Sequence, residues 1–153
     1  MKYTLDSNIL INMERLYPRE IFVSLWDLIE DLASRGEVCI CDAVLRELQR
    51  GDGDLHGWAK RLHGFTCPTH RDEALTVKDI AENHPGWVRG RDNEADPWVI
   101  AHGLQEGRII VTEEKRKGPN TADRNQRIPN IASKYEVQVV KFFEFVKAQG
   151  WTF

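Results

Sequence analysis

The sequence has no Cys-x-x-Cys pair, no internal repeat, no low-complexity tract and no long apolar run, and each absence removes a class of protein. Its three cysteines, Cys39, Cys41 and Cys67, are an odd number without that spacing. That pattern excludes a disulfide framework and a zinc knuckle, and the three are expected to be small buried hydrophobes. An excess of basic charge is also missing, since 21 Lys and Arg against 24 Asp and Glu leave a formal net charge of −3. Overall electrostatics therefore do not point to nucleic acid, and any such contact must be local. The opening, Met1 to Asp6, reaches a carboxylate at once and lacks the roughly 7–15-residue apolar core of a secretion signal, which predicts a cytoplasmic location. With no linker rich in Pro, Gly and Ser, the 153 residues are expected to form a single domain spanning 1–153. A chain of that length buries about two-thirds of its unfolded surface and needs no covalent staple.

The elements alternate. Lys2 to Leu5 is β-prone, and Ile21 to Arg35 carries Ile21, Leu25, Leu28, Ile29 and Leu32 at helical spacing before a stop at Gly36. Val38 to Cys41 suits a buried strand; Asp42 then opens a helix with the stripe Val44, Leu45 and Leu48, ended by Gly51-Asp52-Gly53. Leu55 to about Gly90 is expected to hold one or two helices, with Ala74, Val77, Ile80 and Ala81 as an apolar face. Asp96-Pro97 reads as an N-cap with proline at the first helical position, leading a helix to Gly107. Arg108 to Thr112 is a strand, Glu113 to Arg127 a polar, mobile loop, and Ile128 begins a short helix. Gln138 to Val140 is a last strand before a closing helix, Phe142 to Gln149, with Phe142, Phe145 and Val146 inward. Strands separated by helices predict an α/β fold, a parallel sheet in an α/β/α sandwich.

Ligands of such a sheet bind beyond the carboxyl ends of its strands. Asp6 follows the first strand, Glu113 and Glu114 follow Thr112, Glu47 lies one turn into the helix after Val38–Cys41, and Asp96 stands at a helix start. Each acid alone has an ordinary role as a cap, turn residue or surface charge. Several carboxylates meeting at one sheet edge repel one another unless cations compensate them, so the set implies metal. Oxygen-only donors select hard cations, Mg²⁺ or Mn²⁺, whose chemistry includes phosphodiester hydrolysis. His56, His63 and His70 recur every seven residues, too far along a helix to share one ion, and read as coincidence. Among the five tryptophans only Trp87, beside Gly86 and Arg89, is a candidate base-stacking residue. Lys115, Arg116, Lys117 and Arg124 are the candidate contacts to an RNA backbone.

Tyr3-Thr4-Leu5-Asp6-Ser7-Asn8-Ile9-Leu10-Ile11 resembles the opening strand and first acidic motif of PIN domains. In order, Val44-Leu45-Arg46-Glu47-Leu48, Ala95-Asp96-Pro97-Trp98-Val99-Ile100-Ala101 and Ile110-Val111-Thr112-Glu113-Glu114 resemble the segments carrying that family's second, third and fourth acids. Nearly the whole chain is similar to a poorly characterised prokaryotic subgroup of PIN-like proteins. The resemblance implies a metal-dependent endoribonuclease, the toxin of a toxin–antitoxin pair. It implies Asp6, Glu47, Asp96 and Glu114 as catalytic, metal-holding acids, with Ser7, Asn8 and Thr112 in support. Many members have Thr-x-Asp where this chain has Thr112-Glu113-Glu114, so Glu113 also stands near the fourth slot, and Asp92 and Asp123 are candidate substitutes. Expected partners are an RNA substrate, a cognate antitoxin protein and a second copy of the chain, with no membrane. The alternative is a catalytically weak or inactive PIN-like module that binds RNA or protein. An aspartyl-phosphate phosphatase is disfavoured because Asn8 stands where its proton donor is needed.

Overall fold

A computed structural model describes residues 1–51 and 53–153. Five parallel strands form one sheet in the order β3-β2-β1-β4-β5. They are β1 (Tyr3–Leu5), β2 (Val38–Cys41), β3 (Thr66–Cys67), β4 (Ile109–Val111) and β5 (Val139–Val140). Parallel neighbours require crossovers, which the helices supply. These are α1 (Ser7–Leu16), α2 (Val23–Ser34), α3 (Asp42–Leu48), α4 (Leu55–Arg61), α5 (Arg71–Asn83), α6 (Asp96–Glu106), α7 (Ile128–Lys134) and α8 (Phe142–Gln149). Among the described residues no helix is long and apolar enough to cross a membrane.

The three inner strands are buried throughout, and β2 and β4, made of Val, Ile and Cys, read as the apolar runs expected when both faces are covered. Tyr3 meets Phe145 of α8 edge to face at 4.9 Å. Thr4 and its register partner Cys39 lie on the opposite face, where the Cys39 sulfur reaches His102 of α6. Helices thus cover both faces, and the expected α/β/α sandwich is the observed architecture. From β1 the chain winds outward through β2 to β3, then returns through α5 and α6 to β4 on the other side of β1. The direction reverses between β1 and β4, which opens a crevice at their carboxyl ends.

Helix α6 is the central piece. It stops at Gly107 with φ +63°, the left-handed conformation expected of a glycine C-cap. Gly103 has another purpose. A Cβ there would lie 3.0 Å from Val137 Cγ1, 3.2 Å from Ile110 Cγ1 and 3.3 Å from the Arg108 carbonyl oxygen. Any larger residue would press on all three, so glycine lets α6 seat closely on β4.

Several expectations from the sequence are corrected. The buried face of α5 is Glu73, Thr76 and Ile80, whereas Ala74 and Ala81 are exposed. An apolar template misses it because its polar members are satisfied internally: Thr76 Oγ1 donates to the Asp72 carbonyl and accepts from Gln105, while Glu73 accepts from His102 and from the His70 N–H. Trp87 is fully buried, and its indole N–H donates to the Gln126 carbonyl at 2.9 Å, so it is inaccessible to a stacking base. The stretch from Glu113 to Arg127 is pinned rather than free. The Lys117 backbone exchanges two hydrogen bonds with the Asn130 side chain, 2.9 and 2.8 Å, and Gln126 Nε2 donates to the Thr121 carbonyl. A short 3₁₀ turn, Asp123–Asn125, interrupts it. The expected stop at Gly51-Asp52-Gly53 includes Asp52, which lies outside the described residues; α3 itself ends at Leu48.

Candidate metal centre

Asp6 leaves β1 in extended conformation and caps α1, its Oδ1 accepting from the Ser7 N–H at 2.8 Å. Its other oxygen, Oδ2, accepts from Thr112 Oγ1 at 2.8 Å, across the crevice from the end of β4. Because that hydroxyl gives its one proton to Asp6, it meets its other neighbours as an acceptor, taking Asn8 Nδ2 at 3.1 Å and the Glu114 N–H at 3.2 Å. Asn8 in turn accepts the Glu113 N–H at 3.2 Å. Asn8 and Thr112 thereby tie the start of α1 to the chain leaving β4 and set where Glu114 emerges.

Asp96 is the first residue of α6, not its cap. Ala95 holds the capping position, and the Asp96 carboxylate makes no capping bond but turns inward, 9% exposed. One carboxylate oxygen from each of Asp6, Asp96 and Glu114 lies within 4.8 Å of the others. Glu47 stands beside this trio, close enough to act on all three electrostatically, and its carboxylate accepts from the Ser7 hydroxyl. Glu113 points elsewhere, its Oε2 accepting the Phe142 N–H at 3.4 Å at the head of α8. Asp123 pairs with His84 at 3.4 Å, and Asp92 sits exposed in the Arg89–Asp92 turn, so neither joins the acids.

Magnitudes decide what this arrangement tolerates. Two carboxylates about 5 Å apart repel by about 3 kcal/mol at an effective dielectric of about 20. A hydrogen bond contributes about 1 kcal/mol. The Thr112 and Ser7 bonds therefore cannot hold three charged acids together, and protons or a cation must. Burial, and then the charge of Glu114, pushes the Asp6 carboxyl up to about 7 from its ordinary 3.8, against the bonds from Thr112 and Ser7. Burial, followed by Asp6, Glu114 and Glu47, drives Asp96 well above the usual carboxylate range. Glu114 is raised as well, mainly by burial, with the Ile128 N–H and Arg127 opposing.

Arg127 is the residue of this site that the sequence does not single out. It is half-buried, and its positive charge acts on both Asp96 and Glu114. Lys115, Arg116, Lys117 and Arg124 are exposed. A cleft of about 400 Å³ opens beside Glu114, with Arg116 and Lys141 among its lining residues. The donor set is oxygen-only and more negative than Arg127 can balance, which fits a hard divalent cation.

A family model described as "Domain of unknown function (DUF4411)" matches residues 3–153. Curated proteins show no match in sequence. Among solved structures, VapBC2 from Rickettsia felis, bound to a DNA fragment from its promoter, is similar with a TM-score of 0.56 and 16% identity, covering 93% of this chain and 99% of that one. FitAB bound to the IR36 DNA fragment gives 0.52 at 19% identity, with coverage of 91% and 94%. FitAcB from Neisseria gonorrhoeae gives 0.52 at 18%, with 90% and 95%. At these identities it is the fold that is shared. The chain thus belongs to the family described as "Domain of unknown function (DUF4411)", and the architecture on which it displays its cluster of acids is the PIN-like α/β fold.

Proposed function

We propose that this chain is a single-domain Mg²⁺- or Mn²⁺-dependent endoribonuclease, working in the cytoplasm as the toxin of a toxin–antitoxin pair. The observation that carries the reading is the convergence of buried Asp6 and Asp96 with half-buried Glu114 in the crevice between β1 and β4, short of positive charge. A hard cation held by these three, with Glu47 alongside, supplies activation of water and neutralises charge developing on a phosphodiester. The remaining steps belong to the chain's own groups. Thr112 fixes the orientation of Asp6, the Ser7 hydroxyl restrains Glu47, and Arg127 tempers the repulsion between Asp96 and Glu114. Lys115, Arg116, Lys117 and Arg124 hold the RNA backbone by phosphate contacts, which carry no sequence information. Likeness to VapBC2 and FitAB, each solved bound to DNA, supports a cognate antitoxin as partner.

The test is cleavage of end-labelled RNA by the purified chain in Mn²⁺, with EDTA and Asp96→Asn as controls, beside growth on expression in bacteria. Cleavage and slowed growth from the wild type, both abolished in the variant, are expected. Full cleavage by a folded Asp96→Asn protein would overturn the assignment. RNA bound but never cut, at any Mn²⁺ concentration, would favour a binding module.

A further inference from the structure

Away from the acids, the same face of the sheet holds a second cluster. Cys39 of β2, Cys67 of β3 and His102 of α6 each present a donor atom, and all three atoms lie within 4.8 Å of one another. The Cys39 sulfur is 3.1 Å from His102 Nε2. Both Cys39 and His102 are 1% exposed, while Cys67, at the sheet edge, is partly open. The expectation of small buried hydrophobes holds for the burial of Cys39 and Cys41, whereas Cys67 is only half-buried.

The histidine is oriented from behind. Its Nδ1 lies 2.5 Å from Glu73 Oε1, and Glu73 is itself buried, with its other oxygen taking the His70 N–H at 2.6 Å. A carboxylate has no proton to give, so Nδ1 is the donor, and in the neutral ring it is Nε2, facing the sulfurs, that offers a lone pair to a metal. Carboxylate, histidine and open Nε2 in series are what zinc-ligating histidines commonly show. Nothing in the acid site uses this arrangement, and burying the Glu73 carboxylate merely to pack a helix would be a costly substitute for an aliphatic side chain.

We propose that Cys39, Cys67 and His102 bind one thiophilic divalent cation, Zn²⁺, with Glu73 as the positioning residue for His102. The donor set of two sulfurs and one imidazole nitrogen selects zinc over the hard cations suited to the acids. Donors around a tetrahedral zinc lie about 3.3–3.8 Å apart. The 3.1 Å contact and 4.8 Å limit bracket that range, so small side-chain adjustments close the shell. Charge also balances: two thiolates and Glu73 are negative, and Zn²⁺ and the buried Arg108, whose charge reaches both sulfurs, are positive. For the fourth position the fold offers the Thr4 hydroxyl, fully buried, without a hydrogen-bond partner among the described residues, and paired in register with Cys39. It binds the ion directly or through a water. Such an ion would join the two-residue edge strand β3 to β2 and to α6.

The experiment is metal analysis of the full chain purified under reducing conditions, followed by Co²⁺ replacement. One zinc per chain and a thiolate-to-cobalt charge-transfer band are expected. Cys67→Ser should abolish both, and its half-exposed edge position makes a folded variant attainable. Glu73→Gln should keep the band but weaken affinity about 10- to 100-fold. Cys41→Ala and Asp96→Asn should leave stoichiometry unchanged, which separates this ion from any held by the acids. A folded wild type giving no cobalt–thiolate band overturns the proposal, and so does retention of zinc by Cys67→Ser. A Cys39–Cys67 disulfide that forms readily in protein never loaded with metal would likewise overturn it, assigning the pair to redox chemistry.

Discussion

Replacing Asp6 with asparagine should make the metal-free protein more stable at neutral pH and remove the pH dependence contributed by this residue. The folded value of Asp6 is about 7 against an ordinary 3.8, with burial and the Glu114 charge as the main causes. As pH rises, the unfolded chain gives up this proton first, so wild-type stability falls between about pH 4 and pH 7 and stays low above it. The gap corresponds to about 4 kcal/mol. Asparagine avoids that cost but disturbs the bond from Thr112, a penalty of about 1 kcal/mol. A net gain of about 2–3 kcal/mol at pH 8 follows, with little difference, or a small deficit, at pH 4. Urea unfolding in EDTA at the two pH values, followed by circular dichroism, reads it directly. Added Mn²⁺ should reverse the order at pH 8, because a ligand at about 1,000 times its Kd stabilises the wild type by about 4.1 kcal/mol while the variant lacks a donor. Equal stability of the two proteins in EDTA at pH 8, with parallel pH profiles, would refute the reasoning and make the cluster's repulsion negligible.

Glu114→Gln should raise the Mn²⁺ concentration needed for RNA cleavage, and Glu113→Gln should leave it unchanged, since Glu113 is engaged with the Phe142 N–H; a Mn²⁺ titration of activity separates them. Neutralising Lys115, Arg116 and Lys117 together should weaken RNA binding across sequences and make the salt dependence shallower by about 0.7 in slope for each phosphate no longer neutralised, measured by salt titration, with the Mn²⁺ requirement unmoved.

The acids are legible in the sequence because their positions follow from local rules. Strands of Val, Ile and Leu announce themselves, a parallel sheet places its ligands at strand ends, and Asp6 and Glu114 lie just past two of them. For Asp96 the local rule is incomplete: Asp-Pro marks a helix start, but the carboxylate serves the crevice rather than the helix end. Where side-chain identity and environment disagree, local rules fail. The inward face of α5 carries a glutamate and a threonine whose partners come from α6, and β3 is two residues long. Trp87 looks exposed beside Gly86 and Arg89 but is the core anchor of a loop that looks free in sequence. The grouping of Cys39, Cys67 and His102 needs the crossover through β3 and the return of α6, and no spacing rule reaches that far.

The glycine at position 103 bears on how precisely the acids can be assembled. Helix α6 carries Asp96 at one end and His102 near the other, about 9 Å apart along the axis at about 1.5 Å per residue. Sliding the helix by one turn would displace Asp96 by about 5.4 Å. That exceeds the 4.8 Å within which the three carboxylates meet, so a slipped helix would have no cluster at all. With Val137, Ile110 and the Arg108 carbonyl so close around Gly103, even an alanine must push α6 off the sheet or displace its neighbours. A methyl group added on the side of the helix remote from the acids would thus be expressed as misplacement of Asp96, making Gly103 the gauge that sets the spacing of a site it never touches.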